Sequence, residues 1–295
     1  MDEFSLIDDV VSIIGARAEG RWVSIGPGDD SAVIDVSANH QIVSSVDTLV
    51  KDVHFPAEMP GEMVGYRALM VSLSDIAAMA ATPRYVLVAI TLPEVDKGWL
   101  EACARGMTQA AKACDIYLCG GNFAHGELSI TVSAHGEVPA GTAVTRARAR
   151  PGDGIFVSGE LGGAAACVRQ RQFDFSGSLS QTQLRYARPA ARVDLRDVVR
   201  ESAHAAIDIS DGLLQDLRHV CRASSVQARL NSSLLPVCPG AQLTDALTGG
   251  DDYELLCAAP VPLSGFVRIG EFCEGSGVLV DDEPAVIGGY QHFHA

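Results

Sequence analysis

Ala205-Ala206-Ile207-Asp208-Ile209-Ser210-Asp211-Gly212-Leu213-Leu214 is the stretch on which the fold turns. Its apolar opening predicts a strand over Ala205–Ile209, and the leucines that follow open a helix predicted over Asp211–Ala223. Between them stand two carboxylates three residues apart, Asp208 at a strand end and Asp211 at a helix mouth. Asp211 is placed to cap its helix. Two carboxylates so close are also able to converge on one hard cation.

The first half of the chain repeats this grammar. Gly26-Pro27-Gly28-Asp29-Asp30 enters a strand predicted over Ala32–Val36, and Asp75 interrupts the otherwise small and apolar run Ala68–Met79. An acidic turn before a strand is common and needs no function. Asp75 is harder to explain that way, because a lone carboxylate on an apolar helix is costly to bury unless it caps the helix, is paired or holds a metal. Three acidic patches in distant segments therefore suggest divalent cations held against a phosphorylated ligand, and magnesium-dependent phosphoryl transfer is the leading expectation.

Further strands are expected at Ile42–Val46, Tyr85–Leu92, Leu128–Val138, Ile155–Ser158, Ala228–Leu230 and Leu255–Ala258. Helices are expected at Met63–Ala80, Asp96–Cys114 and Gly162–Gln170. This alternation is α/β or α+β. Around residues 139–153 turn formers and the alternating Arg146, Arg148 and Arg150 break the pattern, so two domains are expected, 1–138 and 150–295.

Composition narrows the function. The 295 residues are 47% hydrophobic and carry a formal net charge of −15, enough for a sizeable core and unsuited to nucleic acid or an anionic membrane surface. The acidic N-terminus lacks the features of a signal peptide, and no apolar run approaches a membrane span, so a cytoplasmic location is expected. Eight scattered cysteines with no Cys-x-x-Cys pair read as free thiols. Gly-x-x-x-x-Gly-Lys, His-Arg-Asp, Asp-Phe-Gly and Gly-x-Ser-x-Gly are all missing, which excludes P-loop enzymes, protein kinases and acyl-transfer hydrolases.

Seven segments in order carry a family resemblance: Asp2–Ile7, Gly28–Val33, Asp47–Val50 with His54-Phe55, Ser72–Met79, Ile207–Leu213, Gly249–Leu255 and Gly289–Phe293. Together they resemble thiamine-monophosphate kinase. The resemblance implies the two-domain fold shared with aminoimidazole-ribonucleotide synthetase: an N-terminal α/β domain that binds ATP and magnesium and forms a homodimer, and a C-terminal α/β domain that completes the nucleotide and substrate site. The implied reaction is direct in-line transfer of the ATP γ-phosphoryl group onto thiamine monophosphate, giving the diphosphate. By the same resemblance Asp30, Ser45, Asp47, Asp75, Asp208 and Asp211 are magnesium ligands. Gly120, Gly121, Asn122, Arg146 and Ser210 contact the nucleotide, Asp211 and Arg146 serve transfer, and His54, Asp251 and Tyr290 touch the acceptor. Arg146 suits that task through its planar donor fork.

Departures from the family pattern bear on the acceptor. Gly120-Gly121-Asn122-Phe123-Ala124-His125-Gly126 stands where the family has Gly-Gly-Asp-Thr-Thr-Arg-Gly, so a metal-ligating carboxylate is replaced by an amide. Asp251 replaces the usual Glu, and Lys51-Asp52 precedes Val53-His54-Phe55 where a Glu-Gly or neutral pair is usual. A related kinase acting on another small phosphomonoester, and a nucleotide-binding protein without catalysis, are the alternatives.

Overall fold

A computed structural model of the chain describes residues 3–290, with the side chains of Glu3 and Phe4 left aside. Asp2 and Gln291-His292-Phe293 of the resemblance segments lie outside that range. The chain forms two compact units. One holds the described residues up to Ile76 with Ala81–Gly141 and Phe173–Phe175; the other holds Ala77–Ala80, Thr142–Gln172 and the described residues from Ser176 on.

The first unit runs α1 (Glu3–Ile14), β1 (Val23–Ile25), β2 (Val33–Ile34), β3 (His40–Val50), α2 (Gly61–Ala78), β4 (Thr82–Leu92), α3 (Lys97–Cys114), β5 (Tyr117–His125) and β6 (Ser129–Pro139). Strands β3, β6, β4 and β5 lie side by side in that order, antiparallel except for the β4–β5 pair, which the α3 crossover makes parallel. Strand alternation sends Val86, Val88, Ile130, Val132 and Ala134 to a buried face. The register pairs Ser45, Asp47 and Leu49 with Ala134, Val132 and Ile130, so all three share that face, whereas Ile42, Val46 and Leu87 are exposed. Helices α2 and α3 pack with backbones almost touching: a Cβ on Gly65 would stand 2.1 Å from the Cys103 carbonyl oxygen, and one on Gly106 1.9 Å from that of Glu62. Asp96 caps α3 by accepting from the Trp99 amide.

The second unit runs β7 (Gly154–Val157), α4 (Gly163–Arg169), α5 (Gln181–Ala187), α6 (Arg196–Ser202), β8 (Ala205–Asp208), α7 (Leu213–Ser224), β9 (Gln227–Leu230), α8 (Leu243–Thr248), β10 (Leu255–Ala259), β11 (Val267–Cys273), β12 (Gly277–Val280) and β13 (Glu283–Pro284). Its seven strands are ordered β13-β12-β9-β11-β7-β10-β8. Leu213, Leu214, Leu217 and Val220 of α7 pack with Ile155, Val157, Ile207, Leu230 and Ile269 of the sheet, while Phe156, Ala206, Leu255 and Cys257 join Val199 of α6 in a second cluster. Each buried Leu or Ile of this kind contributes about 1.5–3 kcal/mol. Burial of both sheet faces explains why β7, β8 and β10 read as unbroken apolar runs.

The α/β character and most expected elements match. The expected strand Ala32–Val36 shrinks to Val33–Ile34, and Asp211 stands outside its helix, which begins at Leu213 with Gly212 as N-cap and no side-chain cap. The Gly120–His125 segment, for which no element was expected, is part of strand β5. All eight cysteines are free, six of them buried. Among the described residues no helix is long and apolar enough to cross a membrane.

Candidate active site

In the first unit an acidic cluster forms where β3 meets α2. Helix α2 is continuous from Gly61 to Ala78, so Asp75 lies inside it and is not an N-cap. The cap explanation therefore falls, and the carboxylate is held instead by the Ser45 hydroxyl, which donates to Asp75 Oδ2. Asp47, two residues along the same strand face, has its carboxyl pushed up to about 6 by burial, then by the negative charge of Asp75, against a lowering hydrogen bond with Ser72. Burial and the like charge of Asp75 therefore make Asp47 hold its negative charge poorly, a cost that a bound cation would relieve.

Strand alternation is what unites Ser45 and Asp47 on one face, and helix α2 brings Asp75 from 28 positions further on in sequence than Asp47 to meet them. Asp30 stands on an exposed turn, its amide donating to Asp29 Oδ1 at 2.8 Å. His54 closes the turn after β3: its Nδ1 accepts from the Val50 amide at 3.0 Å. Asn122 is exposed on β5, paired with Ala89 of β4. The neighbouring Gly121 admits no side chain, since a Cβ there would stand 1.8 Å from the Val88 carbonyl oxygen.

In the second unit three segments meet at the mouth of α7. The Asp251 amide donates to the Ser210 carbonyl at 2.8 Å, the Tyr253 amide to that of Ile209 at 2.8 Å, and the Tyr290 amide to that of Asp211 at 3.0 Å. Gly250 makes the first contact possible, for a Cβ there would lie 2.5 Å from the Ser210 oxygen. Asp251 and Tyr253 both adopt positive φ, and the Tyr253 hydroxyl donates to Asp251 Oδ1 at 2.8 Å. Thus Ser210, Asp211, Asp251 and Tyr290, far apart in sequence, occupy one locus, with Asp208 buried at the end of β8 beside them in sequence.

Two residues essential to this geometry escaped the sequence reading. Asp216 Oδ2 accepts from the backbone amides of Ser210, Asp211 and Gly212, each at 3.1 Å. Burial, followed by the charges of Asp208 and Asp211, pushes its carboxyl up to about 7, while those amides pull it down. Gln215 donates to Asp211 Oδ2 at 3.1 Å and to the Tyr290 carbonyl at 3.2 Å. The available signal was a polar pair, Gln215-Asp216, set among Leu213, Leu214 and Leu217 where an apolar face was expected.

The donor set suits a hard divalent cation. Among the described residues no three His, Cys, Asp or Glu side chains form a closed metal cage. Magnesium does not require one, because it keeps waters and takes one or two carboxylates together with substrate phosphates. Like-charged carboxylates with raised affinity for protons, Asp47 beside Asp75 and Asp216 beside Asp208 and Asp211, are the chemistry that such a cation relieves.

The chain is similar to known proteins along its length. Residues 28–138 match the family model "AIR synthase related protein, N-terminal domain", and residues 150–286 match its C-terminal counterpart. The thiamine-monophosphate kinase of Escherichia coli (strain K12) is 36% identical over 99% of this chain and 98% of its own length. The crystal structure of thiamine-monophosphate kinase from Stenotrophomonas maltophilia K279a superposes with a TM-score of 0.88 at 38% identity, covering 97% of this chain and 98% of that one. AaThiL complexed with AMPPCP and TMP superposes with a TM-score of 0.82 at 29% identity, covering 99% and 97%.

Proposed function

This chain belongs to the thiamine-monophosphate kinase family, within the AIR synthase related proteins, and from that premise we propose that it transfers the γ-phosphoryl group of ATP to thiamine monophosphate. The single observation that carries this reading is the convergence of Ser210, Asp211, Asp251 and Tyr290 at the mouth of α7, where the loop proposed to ligate metal and the loop proposed to meet the acceptor share one hydrogen-bonded frame.

The reaction joins two anions. An acceptor phosphate oxygen is already deprotonated at neutral pH, so attack on the γ-phosphorus needs no general base; the new P–O bond forms as the bond to the ADP oxygen breaks. Positioning and charge stabilisation therefore make up the catalysis. Magnesium, when bound, supplies neutralising positive charge to the phosphates. Ser45, Asp47 and Asp75 would hold it in the first unit with Asp30, and Asp208 and Asp211 in the second. Ser210 and Arg146 would receive nucleotide phosphates, with Gly120, Gly121 and Asn122 lying against the nucleotide. His54, Asp251 and Tyr290 would orient the acceptor, Tyr290 presenting an aromatic face to a heteroaromatic cation. In this assignment residues 1–138 carry ATP and magnesium binding and residues 150–295 complete the site.

Two further assignments rest on the same reading. The exposed Ile42, Val46 and Leu87 on one face of the β3-β6-β4-β5 sheet support a homodimer that covers this face. A biosynthetic kinase acting on free nucleotide and vitamin phosphate belongs in the cytoplasm. Asn122 and Asp251 favour, as a second reading, a kinase for a different small phosphomonoester.

The test is direct. Purified protein incubated with ATP, magnesium and thiamine monophosphate should yield thiamine diphosphate at a rate that follows enzyme and magnesium. ATP binding without diphosphate formation would transfer the assignment to the second reading.

A further inference from the structure

Helix α7 carries a basic stripe to which the reaction above assigns no role. Arg218 and Arg222 are one turn apart on it, with His219 between them. Segment 146–149 is fastened alongside the end of the same helix, since the Ser224 hydroxyl donates to the Arg146 carbonyl at 2.8 Å and accepts from the Ala149 amide at 3.1 Å.

The guanidinium groups of Arg146, Arg218 and Arg222 make no ion pair with any described residue, and Arg218 Nε, like Arg196 Nε, is buried without a hydrogen-bond partner. Among the described residues Arg21, Arg148, Arg150 and Arg171 also make no ion pair, but none of them lies in a helix, in a chain whose net charge is −15. Elsewhere its helical arginines find acids: Arg105 with Glu101 at 3.7 Å, Arg169 with Asp245 at 2.8 Å, Arg185 with Glu254 at 3.0 Å, Arg196 with Asp197 at 3.6 Å. Burying a guanidinium nitrogen without a partner is costly, and like charges one turn apart destabilise a helix. A bound anion removes both costs.

The surroundings of His219 support the grouping. Burial first, then the charges of Arg146, Arg218 and Arg222, hold its imidazole below the ordinary range, while Asp211 acts in the opposite direction. Gln215, Arg218 and Arg222 recur at three- and four-residue spacing, so the arginines continue the stripe of α7 that opens with Gln215, the residue bonded to Asp211.

We propose that Arg218 and Arg222 extend Arg146 into an anion subsite on α7 that receives a phosphate group of the nucleotide. This rests on the ATP reading above. The planar forks of arginine match phosphate oxygens bidentately.

Calorimetric titration with AMPPCP and magnesium tests the subsite. Arg218→Gln and Arg222→Gln should each weaken binding about tenfold, and binding by the variants should depend less steeply on salt. Arg218→Lys should recover part of the loss. Arg229→Gln removes an arginine that sits on β9 and pairs with Asp282 at 2.9 Å, and should leave the affinity as it was. Wild-type binding together with Gln variants within twofold of it would overturn the subsite alone. A wild-type protein that does not bind AMPPCP would overturn the subsite and the ATP reading together.

Discussion

Gln215 and Asp211 are joined across the start of α7, the Gln215 side-chain amide donating to Asp211 Oδ2 at 3.1 Å. The same nitrogen donates to the Tyr290 carbonyl at 3.2 Å, so one buried side chain ties a proposed metal ligand to the segment that carries a proposed acceptor contact. Gln215→Leu keeps the volume and removes both bonds. The stability cost should be about 1 kcal/mol. The KM for thiamine monophosphate should rise several-fold while the KM for ATP stays near wild type, and steady-state kinetics in each substrate separate the two.

Asp216 organises the backbone of the same loop. Replacement by Ala would strand three amides that now share its carboxylate, a loss of roughly 1–3 kcal/mol, whereas Asn keeps an acceptor oxygen and should cost less. Denaturant unfolding of the two variants should rank them in that order. An Asp216→Ala protein as stable as Asp216→Asn would mean the three contacts do not hold the loop.

The acidic cluster of the first unit imposes a pH dependence. Asp47 has an ordinary carboxyl pKa of 3.8 when unfolded and about 6 when folded, so between those values the folded protein binds more protons. Its contribution is neutral at low pH and destabilising above about 6. Asp47→Asn should therefore stabilise the metal-free protein at pH 7.5 by about 1–3 kcal/mol and lose that gain at pH 4. Added magnesium should stabilise the wild type and leave Asp47→Asn nearly unmoved, as thermal unfolding with and without the ion will record.

Gly250 allows loop 249–253 to lie against Ser210. Gly250→Ala places a Cβ 2.5 Å from the Ser210 carbonyl oxygen, and relief requires the two loops to part. A loss of about 2 kcal/mol in stability is expected, with a fall in kcat larger than that of a distant surface substitution. Wild-type turnover in this variant would show that the junction of the two loops does not position the reacting groups.

Asn122 offers the sharpest test of the altered β5 segment. If the amide has weakened a metal site, Asn122→Asp should lower the magnesium concentration for half-maximal rate by about fivefold, because a nearby carboxylate attracts a divalent ion even at an effective dielectric near 20. An unchanged magnesium dependence would remove Asn122 from the metal account.

Much of the architecture was legible in one dimension because it follows from local rules. Apolar runs gave away β7, β8 and β10 as strands, and periodicity marked α2 and α3 to within a few residues. Strand β5 was not legible: Gly120-Gly121-Asn122 carries no β-branched or alternating signal, and only the structure shows the β4 backbone so close that Gly121 has no room for a Cβ. Asp75 was ambiguous for a related reason, since a cap and an interior carboxylate look alike until the helix start is known.

By itself the sequence determined the α/β class, the order of the family's motifs and the residue types able to hold magnesium against phosphates, because propensity, periodicity and side-chain chemistry are properties of neighbouring residues. Only the tertiary structure decided which of those carboxylates stand together. Ser45, Asp47 and Asp75 meet because a strand face turns toward a helix, and Asp216 and Gln215 acquire their roles because three chain segments close on one helix mouth. Such contacts join residues far apart along the chain, and they exist only once burial of the apolar faces has brought the backbones within hydrogen-bonding distance.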